Sequence, residues 1–101
     1  MFEIRQEESK ITYLPGCSII AQKVPEMRDE LIQELDSRDW EELIVDCNGV
    51  TTIDSIGMNF IVGLFKRTKA QEKKFRITGC NQTVKKVLRV FRLDVVLDMD
   101  E

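Results

Sequence analysis

In this sequence, the stretch whose side-chain types and spacing could carry chemistry is Asp54-Ser55-Ile56-Gly57. The apolar run Leu43-Ile44-Val45 ends at Asp46, the breaker pair Asn48-Gly49 follows, and a second apolar stretch starts at Ile56. That order, strand then turn then helix, puts the Ser55 hydroxyl at a helix N-terminus. Asp54 or Ser55 can act there as the N-cap, its oxygen accepting from an orphan backbone N–H. A phosphate is also tolerated at such a place, because the free N–H groups and the helix dipole favour negative charge. A phosphoserine would add about −1.5 to −2 charges there, on a surface, without unfolding the helix.

Other chemistry has fewer means. Asp46 and Asp54 can be read as a carboxylate pair for acid–base work, but the chain has no histidine. That removes the commonest general base and the commonest metal ligand. It rules out a Ser-His-Asp triad, a Cys-His dyad and any histidine-containing zinc site within this chain. There is no glycine-rich phosphate loop either. The sequence therefore predicts no catalytic residue, no metal and no cofactor. The three cysteines, Cys17, Cys47 and Cys80, form no Cys-x-x-Cys pair. Each falls just past an expected strand, so they could converge on one edge as a thiolate or redox site, although a structural role is the commoner fate of such cysteines. Their odd number and spacing fit a reduced, cytoplasmic chain.

The elements that must position this segment follow from the apolar pattern. One hundred and one residues, 43% hydrophobic and 33% charged, suit one globular domain. A strand is expected over 11–14, stopped by Pro15-Gly16, with another over 2–5 before it. Pro25 opens a helix that ends near Ser37, with Val24, Met27, Leu31 and Leu35 as its apolar stripe. Residues 43–45 make a buried, central strand. A helix over 55–71, a strand over 75–78, a helix capped by Thr83 with Val84, Val87, Leu88 and Phe91 on one face, and a last strand over 95–97 complete the order. Strands alternating with helices imply a largely parallel sheet, in which function gathers where strands end and helices begin. The expected core is Leu43, Ile44, Val45, Ile61, Val62, Phe65, Ile77 and Leu88. On a helical wheel Ile56 and Phe60 point away from Met58, Ile61, Val62 and Phe65, so one side packs on the sheet and the other meets a neighbouring helix or forms an exposed apolar patch.

The net charge of −3 argues against nucleic acid as a partner. The basic run Lys66-Arg67, Lys69 and Lys73-Lys74 suits a solvated helix end matched to its dipole. No apolar stretch is long enough to span a bilayer, and Met1 to Lys10 carries Glu3, Glu7 and Glu8 in place of a signal-peptide core. Neither membrane insertion nor secretion is expected.

Over nearly its whole length the sequence resembles the STAS domain, and within it the bacterial anti-sigma factor antagonists. The resemblance rests on the strand Leu43–Asp46, the segment Gly49-Val-Thr-Thr-Ile-Asp-Ser-Ile-Gly-Met58, and, downstream, Phe75-Arg-Ile-Thr-Gly79, Val84-Lys-Lys-Val-Leu88 and Leu93-Asp94. It implies an α/β single domain with a mixed central sheet and helices packed on one face. It implies a non-enzymatic protein-interaction switch in which a partner serine kinase, often the anti-sigma factor itself, phosphorylates Ser55, with a phosphatase as a further partner and a homodimer as an open arrangement. The implied partner surface comprises Cys17, Ser18, Thr52, Asp54, Ile56, Gly57, Met58, Asn59 and Phe60, with Asp54 positioning Ser55 and Gly57 leaving backbone open to the partner. The sequence departs from the family where Gly16-Cys17-Ser18-Ile19 stands in place of an acidic loop, and where Ile56 and Asn59 replace small residues. The alternative within the same fold is a scaffold or subunit of a larger assembly, of the stressosome or lipid-transport ATP-binding-cassette type, without phosphorylation.

Overall fold

A computed structural model describes residues 2–93 of the chain. Strand β1 (Glu3–Glu7) and strand β2 (Lys10–Leu14) form an antiparallel hairpin whose turn holds Glu8 in the left-handed region, at φ 57°. Helix α1 (Val24–Ser37) then leads to β3 (Glu42–Asp46), helix α2 (Ser55–Ala70) to β4 (Lys74–Thr78), and helix α3 (Gln82–Val90) follows. The strands lie in the order β1-β2-β3-β4, with β2, β3 and β4 parallel. The strand expected over 95–97 lies outside the described residues.

Both crossovers step the same way across the sheet. With the right-handed sense that such connections take, α1 and α2 must fall on one face. Burial agrees. The rows Ile11–Leu43–Phe75 and Tyr13–Val45–Ile77, in register across β2, β3 and β4, are buried. The row Thr12–Ile44–Arg76 between them is only half-buried. The expected stripe of α1, Val24, Met27, Leu31 and Leu35, is buried throughout. Met58, Ile61 and Leu64 from α2, and Val84 and Leu88 from α3, join the same core.

Three expectations are corrected here. Ile44 is not in the core, because the sheet is covered on one face only and the central residue of β3 points to the other. Val62 and Phe65 are half-buried at the flank of α2, and Leu64 takes the inward position. At α3 the cap is Asn81, whose Oδ1 accepts from the Val84 N–H at 2.8 Å, not Thr83. The helix starts earlier and ends at Val90, so Phe91 lies past its last turn and is 48% exposed, while Val87 is half-buried.

Candidate functional site at the carboxyl ends of the parallel strands

Three loops meet where β2, β3 and β4 end. The loop after β2 runs beside the one after β3 as a short extension of the sheet: Ile19 and Ile53 form an isolated parallel bridge. The Ile19 N–H donates to the Thr52 carbonyl at 3.1 Å, and the Asp54 N–H donates to the Ile19 carbonyl at 3.3 Å. The Ser18 and Thr51 hydroxyls share a hydrogen bond of 2.7 Å. The loop after β4 is tied in by Asn81, whose Nδ2 donates to the Val50 and Thr51 carbonyls at 3.3 Å each.

Asp54 settles the choice of cap at α2. Its Oδ1 accepts from the Gly57 N–H at 2.7 Å, and its Oδ2 accepts from the Ala21 N–H in the neighbouring loop at 2.9 Å. Both bonds favour the ionised form, so the carboxyl is held below the usual aspartate range, by the Gly57 N–H first and the Ala21 N–H second. Asp46 is also engaged: its Oδ1 accepts from the backbone and side-chain N–H groups of Asn48, at 3.0 and 2.8 Å. Each carboxylate is thus held by N–H donors from the backbone or an amide.

Ser55 is the first residue of α2 and is exposed. Because Asp54 holds the cap, the Ser55 hydroxyl engages no partner among the described residues. Beside it Ile56 is 44% exposed. Thr52 and Asn59 are exposed, and Cys17, Ser18 and Asp54 are half-buried. Gly57, Met58 and Phe60 are not surface residues, which corrects the sequence reading. Met58 faces the sheet at 1% exposure, and Phe60, at 7%, lies between α2 and α1. Of the two outcomes expected for the second side of α2, a neighbouring helix covers Phe60, where α1 packs, while Ile56 stays exposed.

Gly57 is required for a reason other than access to a partner. A Cβ at this position would stand 1.9 Å from the Ile19 carbonyl oxygen. The glycine lets the mouth of α2 press against the loop after β2, which is what brings Ala21 within reach of Asp54. An open groove continues from Ile56 between α1 and α2, lined among others by Arg28, Ile32, Asn59, Phe60 and Arg67.

Ala21, Thr51 and Asn81 take part in this architecture and were not singled out from sequence. Asn81 left a usable signal, a good cap residue three positions ahead of the buried Val84. Ala21 left none, since it contributes only backbone. Of the three cysteines, Cys47 and Cys80 meet and Cys17 does not complete a cluster. Among the described residues no group of three histidine, cysteine or acidic side chains is placed to hold a metal ion, and no helix is long and apolar enough to cross a membrane.

The family model described as the STAS domain matches residues 2–101. The solved structures that this fold resembles include a candidate anti-sigma factor antagonist from Thermotoga maritima, with a TM-score of 0.88 and 18% identity, covering 98% of this chain and 87% of that one. The anti-sigma factor antagonist SpoIIAA in its unphosphorylated form gives 0.83 and 14%, covering 96% of this chain and 85% of that one. The phosphorylated form of SpoIIAA, a Bacillus cell fate determinant, gives 0.77 and 13%, covering 96% of this chain and 88% of that one. At these identities the likeness establishes the fold.

Proposed function

This chain belongs to the STAS domain family, and we propose that it is a non-enzymatic protein-interaction switch of the cytoplasm, controlled by phosphorylation of Ser55. The partner is an anti-sigma factor or a related serine kinase, and a phosphatase resets the switch. The observation that supports this reading is the division of labour at the mouth of α2. Asp54 does the capping, and the adjacent hydroxyl is left exposed and without a partner among the described residues. A phosphate on Ser55 leaves the cap intact, and the helix N-terminus lowers the cost of its charge.

The partner meets a different balance. Cys17, Ser18, Thr52, Asp54, Ile56 and Asn59 form the surface around Ser55, with the groove between α1 and α2 beside it. A dianion next to exposed Ile56 must be desolvated when a partner docks, at a cost of several kcal/mol unless a cation meets it. A loss of about 3 kcal/mol weakens binding more than about a hundredfold. Non-phosphorylated protein therefore binds, and phosphorylated protein is released.

The test is affinity capture from the native lysate with wild type, Ser55→Ala and Ser55→Asp, together with phosphopeptide mass spectrometry. Ser55→Ala is expected to hold the partner constitutively and Ser55→Asp to lose it, both remaining folded. If Ser55 is never modified and Ser55→Asp keeps every partner at wild-type affinity, the switch fails and the scaffold or subunit role takes its place.

A further inference from the structure

Cys47 and Cys80 lie outside the surface just described. Cys47 follows β3, is 1% exposed and belongs to the core. Cys80 stands in the turn between β4 and α3, half-buried against the same core. Had β4 simply continued, Cys80 would share the open face of the sheet with Thr78, since residues two apart in a strand point the same way. The chain instead leaves the strand at Gly79, whose φ of +72° is left-handed, and Cys80 turns toward the core. There the two thiols are neighbours, and each is the largest influence on the other's acidity. The Cys47 N–H donates to the Thr78 carbonyl at 2.7 Å, so the β3–β4 ladder is closed right up to the pair. Asp46 pairs with Thr78 in register, which sets Cys47 level with Gly79 and so next to Cys80 in the turn.

The two sulfurs are not equivalent. Cys80 is held below the ordinary thiol range, first by the Cys47 thiol beside it and then through the nearby Lys85 ammonium, while its partial burial works the other way. Cys47 is pushed up, first by Cys80 and then because it is buried; the Asp46 carboxylate raises both. One thiol is poised to ionise and is reachable from solvent. Its neighbour keeps its proton and is not.

We propose that Cys47 and Cys80 are a dithiol that a hydroperoxide closes to a disulfide, Cys80 attacking and Cys47 resolving. The Cys80 thiolate attacks a peroxide oxygen, the O–O bond breaks, and the leaving oxygen departs with a proton as water or alcohol. Cys80 is then a sulfenic acid. The Cys47 sulfur attacks it, the S–S bond forms, the S–O bond breaks, and the hydroxyl leaves with the Cys47 proton as water. The pair gives up two electrons and the peroxide takes them. The new bond fastens the β4–α3 turn to the end of β3. Asn81, the next residue, already holds the Val50 and Thr51 carbonyls, so the cross-link also stiffens the loop leading to Asp54. The proposal does not depend on Ser55 being phosphorylated.

The test is treatment of the full chain with hydrogen peroxide, then alkylation and non-reducing peptide mass mapping. A monomer lighter by two hydrogen atoms is expected, with the Cys47 peptide joined to the Cys80 peptide, reversal by dithiothreitol, and Cys17 still open to alkylation. Cys17→Ser should leave the bond intact and Cys80→Ser should abolish it. Cys47→Ala should leave a sulfenic acid on Cys80 that dimedone traps. The wild-type map decides the matter whether or not each variant folds. If Cys47 and Cys80 both stay alkylatable while Cys17 is oxidised or joins two chains, or if Cys80 runs on to the sulfinic acid with Cys47 free, the proposal is overturned.

Discussion

Helices α2 and α3 both begin after a loop that leaves a parallel strand, and both mouths are capped in the same way. Asp54 and Asn81 each lay a side-chain oxygen on the N–H three residues on, at 2.7 and 2.8 Å. The remaining atoms of the two side chains differ. The second oxygen of Asp54 accepts from Ala21, while the amide of Asn81 donates to Val50 and Thr51. One mouth carries a charge and leaves an exposed hydroxyl and an exposed isoleucine beside it. The other is neutral and is spent on holding the first mouth's loop in place. Two caps of equal geometry thus serve one site, one presenting it and one bracing it.

The comparison breaks most completely at Gly57. Gly57→Ala places a methyl against the Ile19 carbonyl and should destabilise the domain by about 3 kcal/mol, well beyond the roughly 1 kcal/mol gained in helix propensity. Denaturant unfolding measures it, and a loss below 1 kcal/mol would mean that the two loops are not pressed together. Next, Asp54→Ala should cost more stability than Asn81→Ala, because it strips the acceptor from two backbone N–H groups where the asparagine cap serves one. For Asn81→Ala about 1 kcal/mol is expected, and the reverse ranking would mean that the brace outweighs the cap.

Acidity separates the two mouths more finely. The Asp54 carboxyl is lowered in the folded state, so the stability it contributes is fully present above the pKa of an unfolded aspartate, about 3.9. It is lost as pH falls through the lower folded value. The gap between wild type and Asp54→Asn should therefore begin to narrow below about pH 4 and close only below the lower folded value, whereas the gap to Asn81→Ala stays constant because asparagine does not titrate. Parallel unfolding curves for all three proteins across that range check this. The smallest effect is at Ser55. Since its hydroxyl makes no bond among the described residues, Ser55→Ala should change stability by less than about 0.5 kcal/mol, and a larger loss would give the serine a structural part in the mouth.

Much of this architecture was legible in the sequence, and its gaps have physical reasons. The stripe of α1 and the strand β3 show because period and burial coincide there. Ile44 misleads because a run of three apolar residues looks alike whether a sheet is covered on one face or two. Ser55 could be placed at a helix mouth from the order of strand, breaker and apolar run. Its freedom from capping could not, because the choice between Asp54 and Ser55 depends on where Ala21 lies, and Ala21 speaks only through its backbone. From sequence Met58 is placed on the partner surface through its position in the motif, although the wheel sets it on the sheet side with Ile61; Phe60 is buried because α1 packs over its side of α2, and tertiary packing decides that. Thr83 is read there as the cap and Asn81 is not considered, although either residue type can begin a helix; the geometry of the preceding turn decides which one does.

The register of the sheet bears on how the chain finds this form. Lys10 pairs with Glu42, and Glu42 in turn pairs with Lys74, so the two parallel pairings enclose equal lengths of chain. The entropy of closing a loop rises only with the logarithm of its length, and here the two closures cost the same. Neither half of the sheet has a head start, and β3 belongs to both. Assembly of the parallel sheet therefore waits on a single strand, and substitutions in β3 should slow refolding more than equally destabilising ones in β1, whose hairpin closes locally.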